Sequence, residues 1–328
     1  MARNLAKASL APGLPAAPPV GLGLRGVRMT KAGGVAQWGG GTKGKMGRQA
    51  KSSPGTRHGG KPTFGVYNPG GLSDMRWNLV RTHLAPKVDV LGLPEFSNPL
   101  AAWKGKKFAE QARGKLIVPK APKKGDGSGS AAILLSPRMT ALIVQGSEGS
   151  CGSRIVYVRL MVGINFLFVI CAYIEYWDRG PGKGEQAKAT HQRMQEVIDS
   201  QAKTGDCLVV LTDANARLGP TGDGLAGQYC VARKPNDAGK ALMTFMRANK
   251  LVAANTQFKP QNTKHSRHKG GCKALPGCVT YRPQNGKGGT PAQLDYILVS
   301  SRWFSSVENC RVLWATTLLA QTQFRVDH

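Results

Sequence analysis

From Thr63 onward the chain alternates between short apolar runs and polar breaks rich in Gly and Pro. The runs Phe64–Asn68, Val88–Leu93, Ala131–Leu135, Leu142–Gln145, Ile155–Leu160, Phe166–Tyr173, Cys207–Leu211, Val252–Asn255, Val279–Tyr281 and Leu294–Val299 read as strands. Several hold Val, Ile or Leu at consecutive positions, as strands covered on both faces do. Three longer stretches read as helices: Met75–Leu84, Glu185–Lys203 and Ala238–Asn249. In the last, Ala241, Leu242, Phe245 and Met246 form an apolar stripe suited to packing on a sheet. Breaks near 104–130, 178–184, 219–237 and 259–290 read as loops. The run from Leu160 to Ile174 is interrupted by Gly163 and Asn165, which suits a hairpin and not a membrane span. Strands interleaved with helices predict an α/β fold, a four-layer α/β sandwich of two packed sheets flanked by helices.

Charge changes this picture in two ways. The chain has 328 residues and a formal net charge of +28, which points to a polyanionic partner, most commonly nucleic acid. Its first sixty residues hold ten Lys/Arg and no acid, and the first carboxylate of the chain is Asp74. Residues 1–61, rich in Gly, Ala and Pro, bury too little apolar surface to offset their ordering, so a basic disordered arm is expected there. An organelle transit peptide is the alternative for this arm. The domain is expected over 62–328 and is itself basic. Within the arm, Gly39-x4-Gly44-Lys45 mimics a phosphate loop, but Met46 stands where Ser or Thr would hold Mg²⁺ and no strand precedes it. Seven scattered cysteines form no disulfide framework. Cys171 and Cys207, inside apolar runs, read as buried thiols. An intracellular, reducing setting is expected, nuclear or nucleocytoplasmic for a chain that meets DNA.

Candidate chemistry sits at strand ends. Asn68 ends the first run, Glu95 the second, and Asp213 and Asn215 follow Leu208-Val-Val-Leu-Thr; Asp295 opens the last clear strand, and Asp327-His328 closes the sequence. Taken singly, each is as well read as a turn former or helix cap. Together they matter, because strand ends on one edge of an α/β sheet converge on one crevice. Several carboxylates there repel one another unless a hard divalent cation, ligated by oxygen, neutralises them.

The ordered set Asn68, Glu95, Tyr173, Asp213-Ala-Asn215, Asp295, Asp327-His328 resembles the endonuclease/exonuclease/phosphatase superfamily. Asp213-Ala-Asn215-Ala-Arg217-Leu-Gly219, Ala254-Asn255-Thr256-Gln257-Phe258 and Thr280-Tyr281-Arg282-Pro283 with Gln293-Leu-Asp295-Tyr-Ile-Leu-Val are similar to non-LTR retrotransposon endonuclease domains and related craniofacial-development-protein-like sequences. The resemblance covers about residues 63–328. It implies a Mg²⁺-dependent phosphodiesterase, with Mn²⁺ as a substitute, that nicks DNA by in-line attack of water. It implies Glu95 as principal metal ligand, with Asn68 positioning metal or phosphate and Asp327 near the metal. Asp213 would orient or deprotonate the water, Asn215 would donate to a phosphate oxygen, and Tyr173 would touch phosphate. His328 would serve as the imidazole at the phosphate, polarised by Asp295. Arg154, ahead of the central strands, falls where the family often places a polar residue.

Where the family has Gly-Asp-Phe-Asn, this chain has Thr212-Asp213-Ala214-Asn215, and Glu175-Tyr176 replaces the usual Pro after the tyrosine box. Pro94 precedes Glu95 and removes a strand N–H. Family members continue past Asp-His into a final strand, so the C-terminal strand is expected to be missing and activity reduced. Residues 259–290 form a basic loop in which Lys264, Arg267 and Lys269, with Arg217, are the candidate nucleic-acid contacts. His265, His268, Cys272 and Cys278 are an alternative zinc set, at spacings that match no standard pattern. DNA nicking competes with an inactive nucleic-acid-binding remnant, a phosphomonoesterase or lipid phosphatase on the same fold, cleavage at abasic sites, and RNA as substrate in place of DNA. A reverse transcriptase would follow in a longer polypeptide of the retroelement kind.

Overall fold

The computed structural model describes residues 27–31, 61–71, 74–96, 114–119, 129–177, 183–259, 278–281 and 291–312. Two six-stranded sheets stack face to face. The first runs β12-β1-β2-β3-β5-β4, built from β1 (Val27–Lys31), β2 (Thr63–Val66), β3 (Val90–Leu93), β4 (Lys115–Ile117), β5 (Ala132–Leu135) and β12 (Val307–Val312). The second runs β10-β11-β9-β8-β7-β6, built from β6 (Ile143–Cys151), β7 (Ile155–Val162), β8 (Asn165–Tyr173), β9 (Cys207–Asp213), β10 (Leu251–Ala253) and β11 (Asp295–Ser300).

The period-two alternation of each strand sorts its side chains between two cores. Phe64, Val66 and Val90 from the first sheet meet Val169, Cys171, Val209, Leu211, Ile297 and Val299 from the second, forming the layer between the sheets. Their strand neighbours face outward and are covered by helices. α1 (Asp74–Leu79), continued by a π-turn over Val80–Leu84, lays Trp77, Val80 and Leu84 on Leu91, Leu93 and Leu134. A short α2 (Pro137–Thr140) is capped by Ser136, whose side chain accepts the Met139 N–H. α3 (Lys183–Gln201) and α4 (Asp237–Ala248) cover the second sheet through Ala187, Met194, Leu242 and Phe245, packed on Phe168, Ile170, Val210 and Leu298. The order helix, sheet, sheet, helix is the four-layer sandwich expected.

Two residues let the layers close. An added Cβ on Gly92 of β3 would sit 2.7 Å from Leu211 Cβ and 3.2 Å from Cys171 Sγ, so the sheets touch where that side chain is missing. Gly163, at φ +63°, turns the β7–β8 hairpin, whose pairing runs from Ile155↔Ala172 to Val162↔Asn165.

The structure corrects several sequence expectations. Val27–Lys31, inside the segment expected to be a disordered arm, forms a strand parallel to both β12 and β2. Its alternating Val, Arg, Met and Thr suit a ladder that a composition average conceals. Lys115–Ile117, inside an expected loop, pairs with β5 as an edge strand. The expected strand Val279–Tyr281 is an isolated bridge from Tyr281 to Ala292. Val307–Val312 pairs with β1 although its Glu, Asn and Arg among apolar residues predict no strand. Cys171 and Cys207 are buried as expected, and none of the six described cysteines forms a disulfide. No helix among the described residues is long and apolar enough to cross a membrane.

Candidate active site

The alternation that fills the inter-sheet core also aims the polar residues at its end. In β2, Phe64 and Val66 face the second sheet, and Asn68 is the next position in that series. In the second sheet, Asp213 is paired in register with Asp295 of β11 on one side and with Tyr173 of β8 on the other. Tyr173, Asp213 and Asp295 therefore form one row across three adjacent strands, continuing the inward series of Cys171, Leu211 and Ile297. The core thus ends in an amide from one sheet and a row of a phenol and two carboxylates from the other. Asn68 is 1% exposed, and Asp213 and Asp295 are fully buried.

Asn68 joins the sheets. Its Nδ2 donates to Asp213 Oδ2 at 2.6 Å and to Glu95 Oε2 at 3.0 Å, while its Oδ1 accepts the Gly70 N–H at 2.6 Å. This orientation is the one that satisfies all three partners, since both carboxylates accept and the backbone N–H donates. Two carboxylates are thereby held on opposite sides of one NH₂ group. The turn after Asn68 is braced from outside: Gly71 N donates to the Glu95 carbonyl at 3.0 Å, and Arg76 Nη1 donates to the carbonyls of Gly70 and Gly71 at 2.5 and 2.9 Å. Burial pushes the neighbouring Tyr67 phenol up to about 12, against the opposing pull of Arg76, so it stays a neutral hydroxyl.

Two of the site residues adopt left-handed backbone. Glu95 has φ 58° and Asn215 has φ 46°; the only other such non-glycine residue among those described is Lys250. This conformation is uncommon outside glycine and gathers at functional sites. Its supports are visible here. The Asn215 N–H donates to Asp213 Oδ1 at 3.0 Å, and Asn215 Nδ2 donates to the Ile174 carbonyl at 2.9 Å. One carboxylate oxygen of Asp213 is thus bonded to each sheet's polar terminus.

Further residues position this group. Tyr296, fully buried with its phenol pushed well above the ordinary range by desolvation, accepts the Leu218 N–H at 3.2 Å; its hydroxyl lies 2.7 Å from the Gln293 carbonyl and 3.1 Å from that of Ala216. It pins the Ala216–Leu218 segment beneath the site. Arg217 is fixed through its backbone, its N–H to Asn236 Oδ1 at 3.0 Å and its carbonyl to Asn236 N at 3.2 Å, leaving the half-buried guanidinium beside Asn215 in the chain. Asp295 is set by its backbone neighbours. Its N–H reaches Thr280 Oγ1 at 3.3 Å, and its carbonyl accepts from Asn255 Nδ2 at 3.3 Å. Gly129, at φ +126°, lies so close to Tyr173 that a Cβ would sit 2.5 Å from the ring.

Five of the residues picked from the sequence are therefore brought together: Asn68, Glu95, Tyr173, Asp213 and Asp295, with Asn215 as a sixth. Lys264, Arg267, Lys269, Asp327 and His328 lie outside the described residues, as do His265, His268 and Cys272 of the alternative zinc set. Arg76, Gly129, Thr280 and Tyr296 were missed as site supports. The tight Asn-Pro-Gly-Gly turn was the one signal for Arg76, since such a turn leaves carbonyls in need of a donor. Among the described residues no group of three or more His, Cys, Asp and Glu side chains is arranged to hold a metal. The oxygen donors offered are the Glu95 and Asp213 carboxylates, which suit a hard divalent cation bound through one or two carboxylates while keeping several waters.

No protein-family model matches the sequence. Over 122 residues, 37% of this chain, it is 27% identical to craniofacial development protein 2 of Tragulus javanicus, and that match spans 18% of the relative's length. Among solved structures, the catalytic domain of Xenopus laevis APE2 shares 15% identity at a TM-score of 0.51, covering 73% of this chain and 82% of that one. The endonuclease domain of TRAS1, a telomere-specific non-LTR retrotransposon, shares 13% identity at a TM-score of 0.38, covering 67% and 76%. A Neisseria 3′ phosphatase bound to product DNA hairpin shares 16% at 0.49, covering 73% and 87%. The likeness to the APE2 catalytic domain carries one assignment: the chain has the fold of the endonuclease/exonuclease/phosphatase superfamily.

Proposed function

We propose that this chain is a divalent-metal-dependent phosphodiesterase that hydrolyses the DNA backbone, of the retroelement endonuclease kind. The observation that carries this is the Asn68 amide held between Glu95 and Asp213, which brings two carboxylates from different sheets to one point. Such an arrangement concentrates negative charge where α/β folds bind ligands, in a protein whose net charge of +28 otherwise favours polyanions.

Glu95 would hold Mg²⁺ or Mn²⁺. The oxygen of Asn68 is engaged by Gly70, so Asn68 acts by orienting the two carboxylates. A bound Mg²⁺ supplies charge neutralisation at the phosphate and at the leaving oxygen. Asp213, anchored through both oxygens, orients a water and accepts its proton. Asn215 spends one amide hydrogen on Ile174 and keeps the other for a phosphate oxygen. Tyr173 donates its phenol to phosphate, and Asp295 orients the imidazole of His328, which protonates or polarises the phosphate oxygen. Positioning and electrostatics supply most of the rate in such displacements. Lys264, Arg267, Lys269 and Arg217 contact the backbone of the duplex.

The test is plasmid nicking by the purified chain, with Mg²⁺ or with EDTA, beside Asp213→Ala and His328→Ala. Supercoiled DNA is expected to relax to the open circle with Mg²⁺ alone, and to remain supercoiled with either variant. Nicking that survives EDTA or both substitutions overturns the mechanism. Salt-sensitive DNA binding without nicking would mark a binding remnant, and turnover of inositol phosphates without DNA cleavage a phosphatase.

A further inference from the structure

Two charged residues beside the site have no place in that mechanism. Arg154 precedes β7 and Glu175 follows β8, and Arg154 Nη2 lies 2.7 Å from Glu175 Oε1. The pair is largely buried, with Glu175 only 6% exposed. It is also poorly served: among the described residues neither Glu175 oxygen makes a well-formed hydrogen bond, and the buried Arg154 Nε meets no acceptor.

A buried ion pair with unfilled hydrogen-bonding capacity seldom stabilises a fold relative to apolar residues of similar volume. Its location supplies another role. The Tyr173 N–H donates to the Arg154 carbonyl at 3.0 Å, extending the β7–β8 pairing one step beyond Ile155↔Ala172. Immediately afterwards the Ile174 N–H donates to the Asp213 carbonyl at 3.0 Å, and the Ile174 carbonyl accepts from Asn215 at 2.9 Å. The segment 173–175 is therefore stitched to β9 on one side and to Arg154 on the other. The Arg154–Glu175 contact closes the second seam just past the point where the backbone ladder ends.

We propose that Arg154 and Glu175 are a positioning pair that fixes Tyr173 and Asn215 for attack on phosphate. This rests on the phosphodiesterase function proposed above. The pair touches no reacting atom; it holds the turn whose displacement would move the phenol and the amide together. A displacement of about 1 Å at such groups costs on the order of a hundredfold in rate.

The experiment compares Mg²⁺-dependent nicking, melting temperature and tyrosine ring resonances for the full chain, Glu175→Gln, Arg154→Lys and the double variant Arg154→Met/Glu175→Leu. We expect the double variant to melt at or above the parent temperature. Its kcat should fall about ten- to hundredfold while KM moves by less than about threefold, because groups at the one reacting phosphate and not the contacts along the duplex are disturbed. Arg154→Lys, which keeps the charge, should retain more activity than the double variant, with Glu175→Gln between them. The Tyr173 ring signal, assigned by comparison with Tyr173→Phe, should shift or broaden in the double variant. A double variant that nicks at the parent rate, in a parent that does nick, overturns the positioning role and leaves the phosphodiesterase function standing. A parent that never nicks overturns the phosphodiesterase function, and an unshifted Tyr173 signal would then overturn the positioning as well.

Discussion

At the scale of single residues the site is organised by one amide. Asn68 donates to Asp213 and Glu95 and accepts from Gly70, so every polar atom of its side chain is engaged. Truncation to alanine leaves two buried-edge carboxylates facing each other without the donor between them. Two effects should follow from Asn68→Ala. Nicking should fall on the order of a hundredfold, the cost of letting positioned groups drift by about 1 Å. The metal-free protein should also melt at a lower temperature, and the deficit should narrow as Mg²⁺ is added, because a cation between the carboxylates replaces the missing neutralisation. Thermal melts of both proteins across a Mg²⁺ titration check this. Parallel curves with a constant gap would show that no cation binds where the amide was. Asn68 was recognisable in the sequence because it ends an apolar run. Its partner choice was not, because nothing in one strand says which residue of another sheet lies opposite.

Elements carry the next part of the picture, and here the helix layer offers a pH handle. His191 of α3 stacks on Phe245 of α4 with ring centroids 5.6 Å apart, and its buried Nε2 has no hydrogen-bond partner among the described residues. Burial lowers its pKa from 6.5 to about 4, so the folded protein keeps the ring neutral where the unfolded chain protonates it. Above the unfolded value both states are neutral and nothing is lost. As pH falls from 6.5 to about 4, the unfolded state alone gains a proton and stability declines by up to about 3 kcal/mol. His191→Leu should remove that decline, so that denaturant midpoints of parent and variant diverge steadily below pH 6.5; curves that stay parallel to pH 4 would refute the assignment. Neither the burial nor the stack was legible beforehand, since His191 lies among charged residues of a polar-looking helix. Elements with a strong internal pattern were read well: the consecutive apolar run of β9, the Gly-broken hairpin of β7 and β8, and the stripe of α4. Elements that depend on partners were not. β1, β4 and β12 are short or mixed in polarity, and they become strands because a neighbouring edge satisfies their backbone. Tyr296 shows the same limit at the site. Its place in Leu-Asp-Tyr-Ile-Leu-Val announces a core strand, but its hydroxyl's grip on residues 216–218 depends on a loop eighty residues away in sequence.

At the scale of the whole molecule, the site exists because two sheets meet at a fixed distance, and Gly92 sets that distance where β3 crosses Leu211. Gly92→Ala places a methyl 2.7 Å from the Leu211 Cβ, and neither strand can yield without moving its polar end. Overpacking of this kind costs about 1–3 kcal/mol. Because Asn68 and Asp213 are reached from these same two sheets, the 2.6 Å bond between them should loosen too, lowering nicking together with melting temperature. Adding Leu211→Gly, which removes the Cβ that the new methyl meets, should relieve the clash and return part of both, as coupled neighbours do and distant sites do not. Additive losses in the double variant would show that the sheets are not spaced through this contact. Residues 260–277 leave the described chain after Lys259 and return at Cys278, and both flanks are tied to Asp295, one through Asn255 and the other through Thr280. Lys264, Arg267 and Lys269 lie between these two flanks in sequence, outside the described residues. If they neutralise phosphates, replacing all three by serine should flatten the dependence of log K for duplex DNA on log salt by up to about 3, since each neutralised phosphate contributes about 0.9 to the slope. Binding isotherms between roughly 50 and 300 mM salt, the range over which such slopes are resolved, measure it. An unchanged slope with weaker affinity at every salt concentration would assign these residues to shape or hydrogen bonding and leave the phosphates to Arg217 and other basic residues of a chain with net charge +28.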